Sequence, residues 1–268
     1  MFTTLAFAAA LSLAPAQGGG ELKLANVTAT YGLIGPKRTS LKFLPGDQLY
    51  LGFDIEGITL NKNSTTTYSI ESRILDGSGK VWKKYDPTDR TDFVPLGGNS
   101  VPGRVFVVLG VDTEPGTYTL EATFVDKTSG AKGSLSQKIE VLKTDLGFVG
   151  MHATTDALAR NPAHTTGFVG GAVWLQGSVV GFKRDPAKNQ PDTKIEMVLL
   201  DEKGKPTMSE PIVHTVTALE EKYPMFAIKM NVPFTRAGKF AAKFTVTDNL
   251  AKTSASFEMP ISVQPQEK

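Results

Sequence analysis

Pro115-Gly116-Thr117-Tyr118-Thr119-Leu120-Glu121-Ala122-Thr123-Phe124-Val125-Asp126 returns 122 residues later as Ala237-Gly238-Lys239-Phe240-Ala241-Ala242-Lys243-Phe244-Thr245-Val246-Thr247-Asp248. In both copies a glycine opens the segment, alternate positions are mostly apolar and an aspartate closes it. That is the pattern of a half-buried strand entered from a turn. The following strand keeps step, with Leu135, Gln137, Ile139 and Val141 falling on Phe257, Met259, Ile261 and Val263. The chain is therefore an internal duplication.

Working outward, the repeat extends over most of the 268 residues. Leu49, Leu51, Phe53 and Ile55 alternate with Tyr50, Gly52, Asp54 and Glu56, and this strand matches Ala172 to Val180 at an offset of 124. Thr67 to Leu75 matches Lys194 to Leu200, and the turn Asp76-Gly77-Ser78-Gly79 falls on Asp201-Glu202-Lys203-Gly204. Val81 to Tyr85 completes a hairpin by its turn chemistry, and Asp86 to Pro102 is expected to be a looser segment. The offset drifts only from 122 to 125, which places the insertions in loops. No long amphipathic helix is encoded; Asp156 to Arg160 and Ala218 to Lys222 have room for one turn each. The expected division is a signal peptide at 1–16, a leader at 17–21, sandwiches at 22–143 and 144–263, and a tail at 264–268. Lys143-Thr144 leaves almost no linker, so the angle between the halves is expected to be restricted.

The first sixteen residues carry no charge, hold an apolar run from Leu5 to Leu13 and end in Ala14-Pro15-Ala16. This reads as a secretory signal cut before Gln17, although its only positive charge is the terminal amine. The run is too short to span a bilayer, so no integral membrane segment is expected after cleavage, and the mature chain is expected in the periplasm or outside the cell. With no cysteine, disulfides and thiolate metal sites are excluded. Charge is even, at 15 basic and 13 acidic residues in 22–143 against 14 and 13 in 144–268, which gives no footprint for nucleic acid.

Asp112-x-x-x-Gly116-x-Tyr118-x-Leu120 resembles the start of strand F in immunoglobulin-like domains, where a tyrosine two places before a buried residue makes a tyrosine corner. The longer string 115–126 is similar to the penultimate strand of bacterial secreted Ig-like, PKD-like and fibronectin-III-like modules. The resemblance implies an all-β chain of two tandem Ig-like β-sandwiches, about seven antiparallel strands each. It departs from antibody domains: Leu120 and Ala242 stand at the cysteine position, and Phe240 replaces Tyr118 in the second copy. It says little of activity, because such sandwiches host many functions.

Four aromatics are candidates for a ligand or partner surface. Tyr50 and Trp174 occupy equivalent outward positions, and Trp82 with Tyr85 lies among Lys80, Lys83 and Lys84. The competing readings are packing beneath a neighbouring loop for the first pair and a lysine-guarded edge strand for the second. His152, Asp156 and His164 form the weak metal candidate, against the plainer reading of loop packing. Asp54 and Glu56, roughly 7 Å apart on one strand face, are a carboxylate pair of glycosidase type or simply a solvated face. The sequence holds no Gly-x-Ser-x-Gly, no His-Glu-x-x-His, no P-loop and no Gly-x-Gly-x-x-Gly followed by a helix. The expected function is an exported, non-catalytic binding or spacer protein without a cofactor, its partner a protein or glycan of the cell envelope. The rivals are a periplasmic chaperone or assembly factor and a metal-dependent hydrolase centred on the second domain.

Overall fold

The computed structural model describes residues 21–266, so the signal-peptide reading at 1–16 and most of the expected leader lie outside the described residues. The fold is all-β. Eight strands form the first half: β1 (Lys23–Thr30), β2 (Lys42–Phe43), β3 (Gln48–Glu56), β4 (Thr65–Leu75), β5 (Val81–Phe93), β6 (Ser100–Val108), β7 (Gly116–Asp126) and β8 (Lys132–Val141). Eight more follow: β9 (Gly147–Thr154), β10 (Thr166–Phe168), β11 (Ala172–Val180), β12 (Thr193–Asp201), β13 (Ile212–Val216), β14 (Phe226–Pro233), β15 (Gly238–Asp248) and β16 (Thr253–Gln264). No helix occurs among the described residues, and the one-turn segments expected at 156–160 and 218–222 are turns and irregular chain.

The sheet orders are β1-β3-β6 with β2-β8-β7-β4-β5, and then β9-β11-β14 with β10-β16-β15-β12-β13. Each half is thus a three-stranded sheet facing a five-stranded one, with the same strand order in both. The inward positions of β3, Leu49, Leu51, Phe53 and Ile55, and those of β7, Tyr118, Leu120, Ala122 and Phe124, are buried. Together with their partners they form one core, and Leu175, Met197, Phe244 and Met259 anchor a separate core in the second half. Two tandem Ig-like sandwiches related by duplication is the architecture.

The repeated aspartate has a clear role. Asp126 and Asp248 are fully buried. Asp126 accepts hydrogen bonds from the backbone N–H groups of Thr59 and Thr128 at 2.8 Å each and from the Ser129 hydroxyl at 2.9 Å. Asp248 accepts from the N–H groups of Lys183, Leu250 and Ala251 at 2.7, 2.9 and 3.0 Å. Each carboxylate ties its β-turn to the loop leaving the facing sheet, satisfying backbone donors that would otherwise be buried unpaired.

The expectation of a loose segment from Asp86 to Pro102 is corrected. β5 continues to Phe93 and β6 begins at Ser100. Asp86 and Pro87 lie opposite Glu71 alone, a bulge between the pairs Ser72↔Tyr85 and Ile70↔Thr88. Pro87 is tolerated because β5 is an edge strand and the bulge removes the need for its missing N–H. Beyond it, the Tyr68 hydroxyl donates to Asp92 at 2.8 Å and secures the strand's far half.

The halves meet beside a buried ion pair of the first sandwich. Arg38 donates to Asp47 at 2.7 Å, with both side chains less than a tenth exposed. The second oxygen of Asp47 accepts from the backbone N–H of Gly150 in the next sandwich at 2.8 Å. The Arg38 guanidinium lies 3.9 Å from the ring centre of Phe43. Tyr31 meets Phe257 edge to face at 5.0 Å.

Candidate binding surfaces

The aromatic candidates separate into two places. Trp82 is on the edge strand β5 and 38 % exposed, with its ring edge-on to Tyr118 at 5.2 Å. Lys83 sits 5.1 Å above the Tyr85 ring, and Tyr85 packs against the first core. Lys84 pairs with Glu71 at 2.8 Å. This is the arrangement of an edge protected by lysines and a bulge.

Tyr50 and Trp174 do occupy one position of the duplicated fold: Tyr50 lies between Thr30 and Phe106, and Trp174 between Thr154 and Asn231. Tyr50 is half-buried, stacks on Phe106 at 6.0 Å and donates its hydroxyl to Gln48 at 2.7 Å. Burial raises its hydroxyl pKa. Leu33 and Arg104 enclose it.

His152, Asp156 and His164 are not assembled as ligands. His152 Nδ1 donates to the Gly150 carbonyl at 2.7 Å. This closes a bulge at Gly150, whose φ is +59°. Thr28 does the same in the first sandwich by donating to the Asn26 carbonyl across the matching bulge, where Asn26 has a φ of +55°. The Asp156 carboxylate is spent inside its own loop on the N–H groups of Leu158 and Asn161. Burial pushes its pKa up, but these bonds outweigh that and hold it below the ordinary range. Among the described residues no group of three histidine, aspartate or glutamate side chains is placed to hold a metal ion. Asp54 accepts from Asn26 at 2.6 Å, and Glu56 pairs with Lys23 at 2.9 Å. Both carboxylates fasten β1 to β3.

The sequence reading missed a slot in the second sandwich. β13 has five residues where its counterpart β5 has thirteen, because Pro206 and Pro211 interrupt the chain beside the far half of β12. Two cavities of about 410 Å³ each lie between β13 and β14 and share Met197 and Ile212 as lining. In the first sandwich Gly103 and Val105 of β6 are buried, whereas Ile228 and Met230, at the same register on β14, are half-exposed. Ile74 is fully buried and its counterpart Leu199 is not. β13 and β14 are both outer strands of their sheets, so the slot runs between two unpaired edges. Ile212 and Val213 are 45 and 48 % exposed, and β13 carries neither lysine nor proline. The one sequence signal was the pair of prolines, Pro206 and Pro211, shortly before the β-branched run Ile212–Val216.

No protein-family model matches the chain, and no curated protein matches it. In structure it is similar to the C-terminal domain of the Streptococcus agalactiae AgI/II polypeptide BspA, with 8 % identity, 88 % of this chain and 99 % of that one covered, and a TM-score of 0.29. The C-terminal domain of the Streptococcus pyogenes antigen I/II-family protein AspA gives 10 %, 90 and 99 %, and 0.30. Escherichia coli alpha-2-macroglobulin activated by porcine elastase gives 11 %, 94 and 23 %, and 0.31. At such scores these likenesses carry no argument, and the functional reading rests on the geometry of this chain.

Proposed function

We propose that this chain is a non-catalytic binding module, exported to the periplasm or the cell exterior, that engages a partner through the open side of its second sandwich. The observation that carries the reading is the apolar slot between β13 and β14, closed in the first sandwich and open in the second. Exposed apolar surface beside unpaired strand edges is costly to leave uncovered and marks contact sites. Export rests on the sequence of residues 1–16. Asp54, Glu56, His152 and Asp156 each hold a structural bond, and this supports the reading of a binding module.

A photo-crosslinking residue at position 213, compared with one at position 82, tests the reading in cell-envelope and secreted fractions of the host. A discrete adduct from 213 that disappears in Met230→Arg is expected. Adducts from 82 alone, or from neither position, would move the function elsewhere on the molecule.

A further inference from the structure

Resting on that reading of the slot, we infer that its occupant is an extended polypeptide strand with apolar side chains at alternate positions and an acidic residue at the end nearer Ile212. The backbone supplies the first half of the argument. β13 offers an unpaired edge of five residues, Ile-Val-His-Thr-Val, without the devices that guard the equivalent edge β5: Lys83, Lys84 and the Pro87 bulge. An edge left bare in one copy and guarded in the other is a template for a further strand. A strand added there directs every second side chain toward the slot. The two cavities open at either side of Ile212, so successive inward side chains meet apolar walls made by Met197, Ile228, Met230 and Phe234.

Charge supplies the second half. The residues around both cavities include Lys229, Arg236 and His214, and no aspartate or glutamate. No ion pair of the described residues includes Lys229 or Arg236; the Arg236 charge reaches Asp201 at the end of β12, but no salt bridge joins them. Arg236 is held against the Phe240 ring, 4.8 Å from its centre, at the end of the slot beyond Ile212. A guanidinium fixed on an aromatic face at the mouth of an apolar groove is suited to a carboxylate.

The test is an unbiased nonapeptide library displayed on phage and panned on the full-length protein, with binders re-made as synthetic peptides. Expected are binders with apolar residues at alternate positions and an acid toward one end. Their affinity should fall at least about tenfold in Val213→Lys and in Ile212→Ser, both changes at exposed positions. Arg236→Glu should weaken the acidic peptides by about tenfold, the scale of a charge-assisted hydrogen bond, and lysine-substituted peptides should regain the loss. Amide hydrogen exchange across 212–216 should slow on binding.

Binders that ignore Val213→Lys would overturn both the slot reading and this inference. Binders that depend on Val213 but lack alternation or the acid, or that leave exchange at 212–216 unchanged, would leave the slot standing and overturn the strand. Self-association in sedimentation that Val213→Lys abolishes would make a second copy of the chain the occupant, and would also overturn it.

Discussion

Phe53 and Gly103 face each other across β3 and β6, and in the second sandwich the same register holds Gly177 opposite Ile228, so the bulky and bare positions have changed strands. A Cβ on Gly103 would fall within the Phe53 ring, and one on Gly177 would fall on Met151. The two sandwiches make opposite choices of bulk at one cross-strand pair. Gly103→Val is therefore expected to cost about 1–3 kcal/mol by overpacking. Adding Phe53→Gly to Gly103→Ile, which copies the second sandwich, should cost less than the sum of the single changes. Urea unfolding of Gly103→Val and of the four proteins of the cycle measures both; strict additivity would mean that the pair does not share space.

The ion pair of the first sandwich at the junction gives a second expectation. Arg38 also donates to the carbonyls of Ser40 and Lys42, so its position is fixed whether or not Asp47 is present. Asp47→Ala leaves that guanidinium buried without its anion, an effect of about 3–5 kcal/mol where one partner of a buried pair is removed. It also deletes the bond to Gly150 across the junction. Small-angle scattering should then show a wider spread of overall dimensions than the parent, alongside a lower urea midpoint.

Acid should act through Asp126. Burial alone would raise its pKa, but the N–H groups of Thr128 and Thr59 and the Ser129 hydroxyl outweigh that and hold it below the ordinary carboxylate value. A depressed folded-state pKa contributes stability that is present above the unfolded value, near about 4, and is lost as pH falls through the folded one. Asp126→Asn should thus cost about 2 kcal/mol or more at neutral pH, the scale of hydrogen bonds to a charged group. The gap between variant and parent should narrow in acid below about pH 4. Thermal unfolding across that range would show it; a constant gap would locate the acid sensitivity elsewhere.

These two aspartates also mark where sequence reading succeeds and stops. Asp126 and Asp248 were visible as the closing residues of a repeated strand, because alternation and turn chemistry are local. The duplication and the sandwich class followed from the same local signals. Asp86 to Phe93 departs from the expected loose segment because Pro87 is forbidden only where its missing N–H has a partner, and the bulge that frees it is defined by Glu71 on another strand. The structural role of His152 is not legible locally, because the bulge it closes is made by pairing with β11. The slot was hidden for the same reason: the exposure of Ile228 and Met230 depends on how far β13 extends beside them, which only the assembled sheets reveal.

The tyrosine corner offers a test in both directions. The Tyr118 hydroxyl donates to the Glu114 carbonyl at 2.9 Å, four residues back, and its ring lies over Gly116. Tyr118→Phe removes that bond and leaves the carbonyl without its donor, so a loss of about 0.5–1.5 kcal/mol is expected. In the second sandwich Phe240 lies over Gly238, whose φ is +144°, in close contact with where a Cβ would stand. The backbone therefore repeats the corner while the side chain lacks the hydroxyl. Arg236 is the residue four back, and its carbonyl is the counterpart of that of Glu114. Phe240→Tyr should supply the missing donor and stabilise the second sandwich by a comparable amount, seen as a rise in urea midpoint. It should do so without disturbing the guanidinium stacked on the ring, so acidic-peptide binding at the slot should be unchanged. A loss of stability instead would show that the second corner has closed too tightly to admit the oxygen.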